Sequence, residues 1–127
     1  MRNKFLIIGA GLSGSLLGLF LCKKGFDITI YEKRGDFWQN ANTILRRTIG
    51  MSISNRGISA ISKLGIAEAI VNYATPTYGR ATYDYYGSKT IQYYSNDESS
   101  ILTIERSVLN KNLLDKLLEY GNVKLFF

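Results

Sequence analysis

"LIIGAGLSGSLLGLFLCKKGFDITIYEKR", residues 6–34, decides the fold that we predict for this chain. Just before its glycines, the run "KFLII" (residues 4–8) is short and mostly apolar, as a buried parallel strand is. Apolar positions then favour a helix over residues 13–24 that packs on a sheet, and Gly25 is placed to end it. Residues 27–32, "DITIYE", alternate polar with apolar side chains and indicate a second strand. Together these segments predict a βαβ unit.

Three glycines between the predicted strand and helix fit the pattern G-x-G-x-x-G at residues 9–14. Gly9 would make the tight turn, Gly11 would let a pyrophosphate approach the backbone, and Gly14 would let the helix pack on the strand. The amide groups at the helix start favour the negative charge of a diphosphate. Glu32 ends the second strand, where a carboxylate can bond ribose hydroxyls.

A compact turn with no ligand would explain Gly9 and Gly14, but it leaves Gly11 and the position of Glu32 as coincidences. The sequence therefore predicts a dinucleotide cradle. An acidic residue at position 32 disfavours a 2′-phosphate on the bound ribose, which leaves NAD and FAD as the candidates.

Composition excludes several other classes of function. The 127 residues include one cysteine and no histidine, so we expect no metal site, no internal disulfide and no histidine-based catalysis. Cys22 is expected to be a small buried hydrophobe. The net charge is +6, but the basic residues are scattered, which argues against nucleic acid as a partner. The apolar stretch 16–22 is too short for a transmembrane segment, no export leader is visible, and the expected location is cytoplasmic.

The rest of the chain predicts a mixture of helices and antiparallel strands. Residues 55–74 indicate amphipathic helical turns around Gly65, which Pro76 prevents from continuing. Residues 80–94 are typical of a hairpin that turns at Gly87-Ser88, with a positive φ at Gly87. Residues 101–127 predict a strand, a helix and a final strand. The helix should bury a broad leucine face, formed by Leu109, Leu113, Leu114, Leu117 and Leu118.

These elements define an α/β, Rossmann-like fold with a small antiparallel β insertion over residues 76–104. Because the chain ends inside or just after a strand, we expect the domain of residues 1–127 to be incomplete at its C-terminus.

Beyond the glycine motif, the segments "YEKR", "RRTIGMSISNRGISAISKLGIAEAIV" and "RSVLNKNLLDKLLEYGNVKLFF" resemble the N-terminal part of the FAD-dependent aromatic hydroxylases. Within that family the resemblance is to the branch that hydroxylates kynurenine in tryptophan catabolism. It implies FAD as cofactor, NADPH and O2 as co-substrates and an aromatic amino acid as the small-molecule substrate. Family members are much longer, so the resemblance also implies an N-terminal FAD-binding portion that is inactive without a C-terminal part or a second polypeptide.

The resemblance assigns roles to individual residues. Arg80 and Tyr94 match the arginine and tyrosine that hold the carboxylate of the amino-acid substrate, and Tyr93 replaces Tyr94 if the alignment shifts by one. Arg47 matches a family arginine and is expected to have a structural or cofactor role. The residues implied to bind FAD are Gly9, Gly11, Ser13, Gly14, Tyr31, Glu32, Lys33, Arg34, Ser52 and Arg106.

No catalytic nucleophile is predicted, because a flavin cofactor supplies the chemistry in such enzymes. Two alternatives stay open at this point. One is a non-catalytic dinucleotide-binding module, truncated or split, and the other is a different flavoprotein oxidoreductase that shares only the glycine motif.

Overall fold

The computed structural model describes residues 3–35, 49–95 and 100–127, and Arg47 lies outside these ranges. The strands are β1 (Lys4–Ile8), β2 (Asp27–Tyr31), β3 (Gly50–Ile53), β4 (Thr75–Thr77), β5 (Gly79–Tyr83), β6 (Lys89–Tyr93), β7 (Ile101–Glu105) and β8 (Val123–Phe126). The helices are α1 (Leu12–Lys23), α2 (Asn55–Lys63), α3 (Ala67–Val71) and α4 (Arg106–Leu118). The predicted βαβ unit, β1-α1-β2, is confirmed.

A parallel three-stranded sheet in the order β1-β2-β8 forms the base of the fold. The central strand β2 pairs with β1 on one side and with β8 on the other, so that Thr29 lies opposite both Leu6 and Lys124. Parallel neighbours need a crossover connection, and α1 provides it between β1 and β2. This arrangement brings the carboxyl ends of β1 and β2 side by side, next to the glycine loop.

Helices α1 and α4 pack against each other, α1 also against β1 and β2, and α4 also against β7 and β8. The buried positions of α1 are Ser15, Gly18, Leu19 and Cys22, which follow helical periodicity. A side chain at Gly18 would begin 3.2 Å from Leu117 and 3.3 Å from Ile30, so glycine lets the two helices and the sheet approach closely. Cys22 is buried, as predicted, and burial raises the pKa of its thiol to about 11.

Some apolar positions are less buried than the sequence predicts. Leu17 and Leu118 are 51% and 47% exposed, so including Leu118 in the buried face of α4 was wrong. On β1, Leu6 and Ile8 are 63% and 78% exposed whereas Ile7 is buried. Side chains alternate across a strand, and within the described residues the two helices cover only the face that carries Ile7.

A second, antiparallel sheet in the order β3-β7-β4 lies beside the first and leads into α2 and α4. The predicted interruption at Gly65 is confirmed, because Gly65 has φ +75° between α2 and α3. The helix ends before Pro76, which lies in β4. Apolar side chains from this part join the common core, namely Ile53, Ile61, Leu64, Ile66, Ile70 and Ile104.

Strands β5 and β6 form a separate two-stranded hairpin with Arg80 opposite Gln92. Gly87 has φ +84°, as predicted, but the loop spans five residues instead of two. Asp84 explains the longer loop, because its Oδ1 accepts hydrogen bonds from the amides of Tyr86 (2.9 Å) and Ser88 (2.8 Å). The segment 76–104 is thus divided between two sheets, and its substrate-side role stays a prediction.

Candidate nucleotide-binding site

An open cleft of about 600 Å³ lies at the carboxyl ends of β1 and β2, where parallel α/β sheets bind ligands. Its volume is in the range of small-molecule sites. Seven of the predicted cofactor residues line it: Gly9, Gly11, Ser13, Gly14, Glu32, Arg34 and Arg106. They come from the glycine loop, the end of β2 and the start of α4, so the fold collects residues that are far apart in the sequence.

The glycines have the separate tasks that the motif implies. Gly9 has φ +98°, and its amide donates to the Tyr31 carbonyl at 2.7 Å, which ties the loop to the end of β2. A Cβ at Gly14 would lie 2.0 Å from the Gly9 carbonyl oxygen, so α1 can start this close to the loop only with glycine there. Among the described residues, a Cβ at Gly11 would meet only an Arg34 guanidinium nitrogen, at 3.9 Å. Glycine at position 11 therefore keeps the cleft open and is not required for packing.

Gly11 is also the N-cap residue of α1 and has no side chain with which to cap the helix. The amides of the first helical turn are consequently available to a ligand. No acidic residue occupies that turn, so the helix dipole is not neutralised locally. This combination suits an anionic group such as a diphosphate.

The Glu32 side chain lies beneath the glycine loop and is only 6% exposed. Its carboxylate accepts a hydrogen bond from the Ala10 amide at 2.8 Å. It also accepts three from Arg34: from the backbone amide at 2.8 Å, from Nε at 2.9 Å and from a terminal guanidinium nitrogen at 3.1 Å. Glu32 therefore joins the glycine loop to the end of β2, in addition to lining the cleft.

These contacts keep Glu32 ionised. The hydrogen bond from the Arg34 side chain is the largest cause, opposed by burial and helped by the amides of Arg34 and Ala10, and together they lower the pKa of Glu32 to about 2. The same pairing raises the pKa of Arg34. Among the described residues, Glu32 neutralises one of the two arginines that line the cleft, Arg34 and Arg106, so the described lining has a net positive charge that favours an anion.

The structure places the other predicted cofactor residues next to the cleft, not on its lining. Tyr31 stacks on Phe126, with ring centroids 5.1 Å apart, and Lys33 is exposed between Glu32 and Arg34. Ser52 lies on β3, whose neighbouring residue Met51 lines the cleft instead. The roles of these three residues stay predictions.

Besides Ile8 and Leu12, which lie beside and within the glycine motif, sequence reasoning missed two apolar lining residues, Ile49 and Met51. They belong to no motif, and their position depends on the pairing of β3 with β7, which places Met51 opposite Ile104. The carbonyl of Ile49 also accepts a hydrogen bond from the Arg106 amide at 3.1 Å. No local signal in the sequence identifies either residue.

Arg80 and Tyr94 lie on the hairpin and not on the lining of the cleft. Arg80 pairs with Gln92, and its Nε donates to Gln92 Oε1 at 2.7 Å. The Tyr94 amide donates to the Tyr78 carbonyl at 2.9 Å, which continues the same ladder by one residue. Arg80 and Tyr94 are therefore diagonal neighbours on one face, whereas Tyr93 lies opposite Gly79 on the other face.

Tyr94 also lines a smaller cavity of about 350 Å³ at the start of α2, together with Asn55 and Arg56.

Within the described parts of the chain, no group of histidine, cysteine, aspartate or glutamate side chains is arranged to hold a metal ion. None of the helices in the described ranges has the length and apolar character needed to cross a membrane.

A parallel βαβ unit with an open glycine cradle and a carboxylate at the end of its second strand defines a dinucleotide-binding protein. The comparison with protein families identifies which kind: residues 2–127 match the FAD binding domain family. The chain belongs to this family, whose cofactor is FAD.

Curated relatives have similar sequences over almost the whole chain. Kynurenine 3-monooxygenase of Anopheles gambiae is 37% identical over 122 residues, which are 95% of this chain and 25% of the relative. The Sus scrofa kynurenine 3-monooxygenase is 35% identical over 126 residues, 99% of this chain and 26% of the relative. The chain thus spans about a quarter of the length of the curated relatives that it matches.

Solved structures show the same fold. The flavin-dependent monooxygenase PieE, in complex with FAD and substrate, has a TM-score of 0.79 at 17% identity, over 100% of this chain and 24% of that one. PqsL, a probable FAD-dependent monooxygenase from Pseudomonas aeruginosa, has a TM-score of 0.78 at 17% identity, over 99% of this chain and 32% of that one. At these identities the likeness concerns the fold.

Proposed function

We propose that this chain is the FAD-binding part of a monooxygenase that hydroxylates kynurenine to 3-hydroxykynurenine, with NADPH and O2 as co-substrates. The observation that supports this most strongly is the similarity to kynurenine 3-monooxygenases, at 35–39% identity and extending over as much as 100% of the chain. The similar region includes the hairpin and α4 as well as the glycine motif, which many nucleotide-binding proteins share. The cytoplasmic location expected from the sequence belongs to the same proposal.

The residues of the cleft fit FAD. The open cradle at Gly11 and the free amides at the start of α1 would hold the diphosphate, and Glu32 would face the adenosine ribose. The four hydrogen bonds that Glu32 accepts from described residues come from Ala10 and Arg34, so a ribose hydroxyl would share the carboxylate with the Arg34 guanidinium or replace it. Bound FAD supplies the redox chemistry, while the protein orients the cofactor and substrate.

The hairpin fits a carboxylate-bearing substrate. The Arg80 guanidinium donates through Nε to Gln92, which leaves its terminal nitrogens to form the paired hydrogen bonds that a carboxylate accepts. Tyr94 lies diagonally across the same face and can add one hydrogen bond from its hydroxyl. Tyr93 is on the opposite face, so the register favours Tyr94 as the partner of Arg80.

The experiment that tests this proposal uses a polypeptide that extends the chain to the length of its relatives. We expect kynurenine to stimulate NADPH oxidation by this polypeptide and 3-hydroxykynurenine to accumulate in proportion. NADPH oxidation that is coupled to a different aromatic acid would refute the substrate assignment. FAD binding without any NADPH oxidation would favour a non-catalytic module instead.

A further inference from the structure

The backbone of Ala10, in the middle of the glycine loop, is held from three sides. Ala10 is completely buried, and its amide donates to Glu32 as described above. Its carbonyl oxygen accepts one hydrogen bond from the Ser15 hydroxyl at 3.1 Å and a second from Asn110 Nδ2 at 3.0 Å. Ser15 belongs to the same loop-helix unit, whereas Asn110 comes from α4, 100 residues further along the chain.

The contacts from Ser15 and Asn110 together determine where the next amide points. The Ala10 carbonyl and the Gly11 amide belong to one peptide unit, and no peptide bond among the described residues is cis. In a trans peptide the C=O and N–H groups point in opposite directions. A carbonyl that is held towards buried Ser15 and towards α4 therefore turns the Gly11 amide towards the cleft, which Gly11 lines.

Stability alone does not explain an asparagine at position 110. Its Oδ1 is buried and has no hydrogen-bond partner among the described residues, which is unfavourable for folding. The Ala10 carbonyl already has a donor in Ser15, so Asn110 is not needed to satisfy it. An apolar side chain of similar size would avoid the unpaired oxygen. The remaining consequence of the amide is that it fixes the orientation of the Ala10–Gly11 peptide.

We propose that Asn110 is a positioning residue of the cofactor cleft, which holds the Ala10–Gly11 peptide so that the Gly11 amide is presented to the diphosphate of FAD. One turn earlier on α4, Arg106 lines the same cleft, so this helix contributes both a lining side chain and the support of the loop. The inference rests on FAD as the ligand and not on the substrate that we propose.

The test compares Asn110→Leu with Asn112→Leu in the full chain. Asn112 is a matched control because it is partly buried on the same helix, and its Nδ2 donates to the Val108 carbonyl at 2.9 Å instead of to the loop. FAD titration measures affinity, and hydrogen exchange in the FAD-free chain at the buried Ala10 amide, which donates to Glu32, measures how firmly the loop is held. Thermal unfolding reports whether either substitution acts through general stability.

We expect Asn110→Leu to weaken FAD binding about tenfold, to accelerate exchange at the Ala10 amide and to leave the thermal midpoint near that of Asn112→Leu. Asn110→Asp, which keeps the shape without the amide donor, should show the same loss of affinity if Asn110→Leu does not fold. Equal FAD affinities and equal exchange rates in the two asparagine variants would overturn the proposal. So would an unsubstituted chain that binds no FAD. Neither measurement requires turnover, so failure of the kynurenine assignment would leave the result intact.

Discussion

Replacing Glu32 by glutamine should destabilise the chain in a manner that depends on pH. The glutamine amide has the shape of the carboxylate, but it lacks the negative charge. Its NH2 group would also replace the oxygen that accepts hydrogen bonds from Ala10 and Arg34, so that donors would face a donor. Contacts in the folded chain lower the pKa of Glu32 from 4.5 to about 2, which corresponds to about 3 kcal/mol of stability at neutral pH. Since the folded-state pKa is the lower one, this contribution is complete above about pH 4.5 and is lost as the pH falls towards 2.

Urea unfolding of the unsubstituted chain and of Glu32→Gln at several pH values measures this contribution. The difference in unfolding free energy should be about 3 kcal/mol at pH 7 and should shrink by about 2 kcal/mol at pH 3. Glu119→Gln is the control, because Glu119 pairs with Lys116 on the surface of α4, and its effect should be small at every pH. A Glu32→Gln difference that stays constant from pH 7 to pH 3 would refute the assignment of Glu32 as an ionised clamp of the loop.

Two further substitutions test the loop and the hairpin. Gly14→Ala should lower the unfolding free energy by about 1–3 kcal/mol or more, because its Cβ would lie 2.0 Å from a backbone oxygen. The control is Gly121→Ala, which should have little effect because the space around Gly121 is open. Equal unfolding midpoints for the two variants would contradict this prediction. In a polypeptide of the relatives' length, Arg80→Met should raise the KM for kynurenine far more than Tyr94→Phe does, with FAD content intact, and Tyr93→Phe should leave the KM unchanged. An Arg80→Met enzyme with a normal KM would remove the carboxylate assignment.

Local patterns in the sequence predict the parts of this molecule that depend on neighbouring residues. The strand, glycine loop and helix around Gly9 and Gly14 follow from backbone sterics, and Glu32 follows from its fixed distance beyond them. The break at Gly65 and the positive φ of Gly87 are likewise local properties. On these local features the structure and the sequence agree.

Features that depend on distant contacts were not predictable in this way. The pairing of β3 with β7 brings Met51 to the cleft, and the packing of α4 brings Asn110 to the loop. Leu17 and Leu118 fit an apolar helical face by residue type, but the direction in which each helix meets the sheet leaves them exposed. Composition and periodicity specify that a face is apolar, whereas the tertiary arrangement decides which of its edges is covered.

The central claim is that the glycine cleft binds FAD, and titration of Gly11→Val with FAD tests it most directly. Gly11 has an extended backbone (φ −73°, ψ −178°), and among the described residues a Cβ there would meet only Arg34, at 3.9 Å, so valine should be accommodated without unfolding. We expect Gly11→Val to retain its thermal midpoint and to lose FAD binding, because the side chain fills the space of the diphosphate, while Cys22→Ala in the core continues to bind FAD. A Gly11→Val chain that binds FAD as tightly as the unsubstituted chain would contradict the account.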